Sequence, residues 1–317
     1  MMRYAVARVF QAVPTLLLLS ILSFLLIHVV PGGPAVVMLG DKATPALIAQ
    51  INQSLGLNKP LWVQYGIWLG HLVQGNLGYA YTYHQTVASL IALNLPRTLI
   101  LVVTAILISH LLAIVIGIYQ AVKRDRPVDY IFSGILYFLY AMPTFWLGVL
   151  LISIFAIDLH WFPTGGLYNP LLAHPTMKSY IGHLILPVSV LVIGSVAGWA
   201  RYMRSAMADT LVQDYIRTAR AKGVSEWGVL VRHALRNSVL PLITLVGMSL
   251  PGLFSGALII EIIFNYPGMG LLFWNAAQQR DYPIVLAIVI MVGVLTIVGN
   301  LLADLLYAAV DPRIQYR

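Results

Sequence analysis

The chain has 317 residues, of which 60% are hydrophobic and only 9% charged, with a net charge of +8 and no cysteine. Soluble domains carry about 25% charged residues, so this composition cannot cover a water-exposed surface and excludes an ordinary soluble protein. The lack of cysteine excludes disulfides, thiol nucleophiles and Cys-ligated metals.

Charge-free windows mark the membrane spans. No Asp, Glu, Lys or Arg occurs in 9–40, 98–122, 130–157, 179–200, 237–260 or 282–303. Crossing the hydrocarbon core takes roughly 20 apolar residues as helix. The expected fold is therefore an all-α integral membrane protein with six transmembrane helices. The first is not read as a cleaved signal peptide: its apolar run, Val13 to Val30, is longer than an h-region and no A-x-A site follows. The expected organisation is an N-terminal span over 1–31, an external segment over 32–96, and a core over 97–317 with spans near 98–122, 130–157, 179–205, 237–262 and 282–310.

Basic residues orient the chain. With the N-terminus inside, the inner segments hold 14 of the 19 Lys and Arg, and the outer ones keep Lys42, Lys59, Arg97, Lys178 and Arg280. This positive-inside bias places both termini in the cytoplasm. The basic residues are split among short loops, which argues against nucleic-acid binding.

The external segment opens on the turn PGGPA, Pro31 to Ala35, followed by a short helix expected to end near Gly56. Leu61, Trp62, Tyr65, Trp68, Leu69 and Leu72 then share one helical face, as in a helix lying on a membrane surface or on another part of the protein. Tyr79, Tyr81 and Tyr83 read as interfacial anchors or as part of a lid. Residues 123–129 form a short cytoplasmic turn, and 158–178 and 264–281 return outside.

Residues 201–236 hold seven of the 19 basic residues between two apolar spans. Asp214 is expected to cap a helix from Tyr215 to Lys222, with Gly223 ending it in the left-handed conformation. Ser225 is expected to cap the next helix, with Glu226 in its first turn and Val224 and Val229 as a hydrophobic staple. In that helix Trp227, Leu230, Val231, Ala234 and Leu235 fall on one face, with Arg232, His233 and Arg236 largely off it. The pattern alone fits an interfacial helix, an anionic-lipid site or a helix seated in a partner's groove.

The stretch DYIRTARAKGVSEWGVLVRHALRNSVLP, Asp214 to Pro241, closely resembles the cytoplasmic motif of dipeptide and oligopeptide ABC transporter permeases, B-type subunit. VPGGPA (Val30–Ala35), LGLNKPLWVQYGIWL (Leu55–Leu69), MPTFWLG (Met142–Gly148), RSAMADTL (Arg204–Leu211), EIIFNYPGMG (Glu261–Gly270) and DLLYAAVDPRI (Asp304–Ile314) extend the resemblance along nearly the whole chain. Three departures stand out, one being that the spacing from Gly223 to Pro241 is longer than in the general importer motif. Arg217, Thr218 and Ala219 replace the Glu-Ala-Ala of general importers, as in peptide-type permeases, and Gly33 stands where the family has Asp.

The resemblance implies a type I ABC importer permease whose coupling segment, 214–241, seats in an ATPase subunit. Asp214, Arg217, Thr218, Ala219, Lys222, Gly223, Glu226, Trp227 and Arg232 are the residues it points to. Pro143, Phe145, Trp146, Ser255 and Glu261 are candidates for the translocation path. The implied partners are a second homologous permease in a heterodimer, two ATPase subunits, an external substrate-binding protein and membrane lipid. GxxxxGK[ST] is absent, so the chain is expected to be non-catalytic and to bind no cofactor, ATP and Mg being held by the ATPase partners. Peptides are the expected cargo, with nickel chelates, glutathione and oligosaccharides as alternatives within the family. A secondary transporter or channel is a more distant reading, since neither internal repeats nor paired intramembrane charges are found. His28 and His110 lie inside spans and read as satisfied by neighbouring helices.

Overall fold

The computed structural model describes residues 2–29, 35–36, 39, 43–54, 56–239, 242 and 257–310. The order is α1 (Met2–Val29), α2 (Pro45–Ser54), α3 (Leu61–Val73), β1 (Tyr79–Ala80), β2 (Gln85–Thr86), α4 (Val87–Val122), α5 (Pro127–Ala141), α6 (Thr144–Leu151), α7 (Met177–Leu211) and α8 (Asp214–Ala221). A helical run then follows, made of Glu226–Gly228, Val229–Ala234 and Leu235–Ser238 and called α9 here, before α10 (Met269–Gln278) and α11 (Tyr282–Val310). Residues 257–263 are also helical.

The fold forms two compact units. One comprises 1–98 with 267–298. Its core gathers Val87 and Leu90 of α4, Met269, Leu272 and Ala276 of α10, and Ile284 and Ile288 of α11. The antiparallel hairpin β1–β2 pairs Tyr79 with Thr86 and Ala80 with Gln85. Asp281, fully buried, anchors the hairpin: it accepts from the Thr82 backbone N–H at 2.9 Å and from the Thr82 hydroxyl at 2.6 Å. Helix α3 buries no residue, yet its expected face has a neighbour. Tyr65 and Trp68 meet Phe24 of α1 at ring separations of 5.5 and 5.8 Å, and the Ser20 and Tyr65 hydroxyls are 2.8 Å apart.

The other unit comprises 99–266 with 299–317. Here α5 and α6 both pack on α7. The α4–α7 crossing is close: a Cβ on Gly117 would lie 2.6 Å from Met203 Cβ and 2.9 Å from the Ala200 carbonyl. Without lipid-excluding hydrophobic pressure, such crossings rely on small residues that let backbones approach.

Among the described residues, α4, α7 and residues 282–301 of α11 are long and apolar enough to span a bilayer, and α1 holds a shorter apolar stretch, Phe10–Leu25. The expected span 130–157 is broken. Helices Pro127–Ala141 and Thr144–Asp158 meet at 97°. Pro143 explains the break: it cannot donate to the helix ladder, and it holds Met142 in extended backbone at φ −71°, ψ 129°. Most of the expected span 237–262 lies outside the described residues. The outer faces of α4 and α5 expose Leu107, Leu111, Ile131 and Phe138, a surface that suits hydrocarbon and not water.

Candidate coupling site

Helix α7 has 35 residues, about 52 Å at 1.5 Å per residue, against roughly 30 Å for the hydrocarbon core. Its last turns therefore extend beyond the apolar layer, and α8 and α9 are built on that extension.

Helix α8 is strongly two-faced. Ile216 and Ala219, three residues apart, are buried, whereas Asp214, Arg217 and Thr218 are exposed. The buried pair joins a cluster with Met203 and Met207 of α7 and Val229 and Ala234 of α9. Ala219 thus faces inward, holding the elbow to α7. The expected Asp214 cap is not formed. Gln213 occupies the cap position without a side-chain bond, and Asp214 sits in the first turn, 3.4 Å from Arg217. A carboxylate there still complements the helix dipole.

Gly223 ends α8 at φ +78°. Its N–H donates to the Arg220 carbonyl at 2.9 Å, and the Val224 N–H donates to Ala219 at 3.2 Å. This is the paired closure of a Schellman motif, with glycine at the left-handed position. Ser225 caps the next turn, accepting from the Gly228 N–H at 3.3 Å. Across the glycine, Arg220 and Glu226 form a two-pronged ion pair at 2.8 and 3.2 Å. Both side chains are exposed, so the pair shapes the elbow more than it stabilises it. Asn237 donates to the Tyr215 hydroxyl at 2.8 Å, tying α9 to α8. The buried Ser238 hydroxyl lies 2.9 Å from both the Ala234 carbonyl and Thr210 Oγ1, which ties α9 to α7.

The apolar face expected in α9 is rearranged. Residues Val229–Ala234 are π-helical, so Val229 and Ala234, five apart, are the two that bury. Trp227 is 75% exposed and Val231 is also exposed. An indole left uncovered on a hydrogen-bonded elbow is a surface in want of a partner, since Trp is enriched at the centres of interfaces. Lys222, Glu226 and Arg232 are exposed around it.

The path candidates are not brought together on one surface. Pro143 is at the 97° bend, and Phe145 and Trp146 are exposed on the first turns of α6. Glu261 is fully buried in the helix at 257–263, and Ser255 lies outside the described residues. Of the two histidines singled out from the sequence, His110 bonds to Ile106 of its own helix at 2.8 Å and lies against Trp199 at a ring separation of 4.3 Å; the side chain of His28 lies outside the described residues.

Sequence reasoning passed over one constellation. Asp129, 1% exposed, accepts Arg204 Nε at 2.9 Å and Nη2 at 2.5 Å, the Asp125 N–H at 3.1 Å and Gln120 Nε2 at 3.3 Å. It joins α4, the following turn, α5 and α7. The available signal was modest: Asp129 and Arg204 are charges just outside two charge-free windows.

Two family models cover the chain: "Binding-protein-dependent transport system inner membrane component" over 113–316, and the N-terminal part of such membrane components over 1–102. The oligopeptide transport system permease protein AppB of Bacillus subtilis (strain 168) is 42% identical over 317 residues, with both chains fully covered. A putative peptide permease protein of Brucella suis biovar 1 is 41% identical over 318 residues, covering 99% of each chain. The glutathione transport system permease protein GsiC of Salmonella choleraesuis (strain SC-B67) is 37% identical over 317 residues, again with full coverage. Among solved structures, the inward-facing MetNI methionine ABC transporter matches 69% of this chain and 97% of its own with a TM-score of 0.53 at 15% identity, a likeness of fold. The chain belongs to the family of binding-protein-dependent transport system inner membrane components.

Proposed function

We propose that the chain forms one half of the translocation pathway of an ATP-driven peptide importer, paired with a second, homologous permease. The elbow of α8 and α9 engages one of two ATPase subunits, and an external binding protein delivers the peptide. Both termini and the elbow face the cytoplasm, following the inner excess of Lys and Arg. The chain is non-catalytic; ATP and Mg are held by the ATPase subunits.

The elbow carries this reading. Asp214, Arg217, Thr218, Lys222, Glu226, Trp227 and Arg232 present an exposed face around Gly223, while Ile216 and Ala219 fasten it to α7. A partner that closes on ATP moves the elbow, and α7 carries the displacement into the membrane as one continuous helix. ATP drives the cycle only insofar as it binds the closed state better than the open one. The bend at Pro143, with Phe145 and Trp146 beyond it, lies along the pathway, together with Ser255 and Glu261 of the expected span 237–262.

The named relatives favour peptides as cargo, and the glutathione-transport relative keeps short, modified peptides in range. The complex purified in mild detergent and reconstituted with its binding protein is expected to accumulate labelled trialanine only with ATP inside the ATPase compartment. Uptake of trialanine without ATP or ATPase subunits would contradict the proposal.

A further inference from the structure

A pocket of about 70 Å3 opens between α4, α5 and α7, at the level where the charge-free windows of α5 and α7 end. That is the depth at which a lipid phosphate meets a transmembrane bundle. The charged groups lining it, Arg201 and Arg204, are both cations. Arg201 forms no ion pair or hydrogen bond with any described residue. Arg204 commits Nε and Nη2 to Asp129, which leaves Nη1. Ser133 accepts from Gln120 at 3.0 Å and keeps its own hydroxyl proton. Tyr137 and Tyr140 add two phenols. The nearby carboxylate, Asp129, is already saturated by Arg204, Gln120 and the Asp125 N–H.

A site with two guanidinium groups, and with the one nearby carboxylate consumed, selects an anion. The volume is several times the about 10–15 Å3 that one water requires, enough for a compact tetrahedral group. Gly198 leaves the floor open, since a Cβ there would meet nothing within 4 Å.

We propose that this pocket binds the phosphate of an anionic phospholipid, with Arg201 as its principal cation and Tyr137, Tyr140 and Ser133 as neutral donors. A headgroup held there bridges α5 and α7 beside the Arg204–Asp129 pair. The depth of the pocket, where the charge-free windows end, favours a lipid headgroup over free phosphate, and the small volume disfavours a peptide, of which only the terminal carboxylate would fit.

The test uses the full chain in mild detergent and native mass spectrometry, with phosphatidylglycerol and phosphatidylcholine added in turn. It needs neither ATPase nor cargo, so it stands apart from the transport reading. Retention of phosphatidylglycerol should exceed that of phosphatidylcholine about fivefold, the weight of one cation near a membrane surface. Arg201→Gln should abolish the preference, and Gly198→Leu should do so by filling the pocket with every charge intact. Lys178→Gln, an exposed cation outside this pocket, should leave it unchanged. Equal retention of both lipids, or an unchanged preference in both pocket variants, overturns the proposal. Displacement of the lipid by millimolar inorganic phosphate or by dialanine also overturns it, reassigning the pocket to a free anion or a peptide carboxylate.

Discussion

Arg204 grips Asp129 with two parallel bonds, Nε at 2.9 Å and Nη2 at 2.5 Å, although 75 residues separate them in the chain. The carboxylate is buried and the guanidinium is 30% exposed. Losing the arginine therefore leaves a buried anion, whereas losing the carboxylate leaves a cation that can still reach water. Arg204→Gln is expected to lower stability by about 3 kcal/mol and Asp129→Asn by about 1–2 kcal/mol, with the double variant less damaged than the sum. Thermal unfolding of the purified protein in detergent checks the order; a worse Asp129→Asn would reverse the argument.

Gly223 separates backbone shape from side-chain space. A Cβ there meets nothing within 4 Å, but φ is +78°. Gly223→Val should therefore weaken ATPase-subunit recovery much more than Gly223→Asn, because asparagine tolerates the left-handed region and a β-branched residue does not. Equal losses in the two variants would place the role of the glycine in contact and not in conformation.

At the α4–α7 crossing even one methyl group is too many. Gly117→Ala is expected to cost about 1–3 kcal/mol of stability by overpacking. Met203→Ala should not rescue it, because the conflict is with Met203 Cβ and the Ala200 carbonyl. Rescue by Met203→Ala would show that the crossing can relax.

In the β1–β2 hairpin, burial chiefly, and then the Asp281 carboxylate, push the Tyr81 phenol above its ordinary range. The folded state thus disfavours tyrosinate. Its contribution is complete below about pH 10 and is lost as the pH rises through the raised value. The unfolding midpoint of the wild-type chain should fall more steeply than that of Tyr81→Phe above about pH 10, and the two should run parallel near pH 8. Thr82→Val, which removes a donor to buried Asp281, should destabilise at every pH.

The elements set by local chemistry were legible in the sequence. Gly223, Ser225 and the Val224–Val229 staple occur where their cap geometry requires, and Gly56, at φ +68°, follows α2 as its turn chemistry predicts. The Arg204–Asp129 pair was not legible, because no spacing rule links residues on separate helices. The exposure of Val231 was hidden for another reason: a 3.6-residue period was applied to a π-helical stretch, whose wider turn moves each side chain to a new face. The break at Pro143 was within reach, since proline restricts the residue before it, but an unbroken charge-free window favoured one straight span.

Because the chain has no cysteine, a single introduced thiol reports on one place alone. Trp227→Cys in the assembled complex, treated with a short thiol-reactive crosslinker carrying a photoactivatable group, is expected to capture an ATPase subunit, with a yield that changes when ATP is added. Leu171→Cys, exposed in the loop between α6 and α7, is expected to capture none. Capture of the ATPase subunit from position 171 but not from 227 would contradict both the assignment of the elbow and the orientation of the chain.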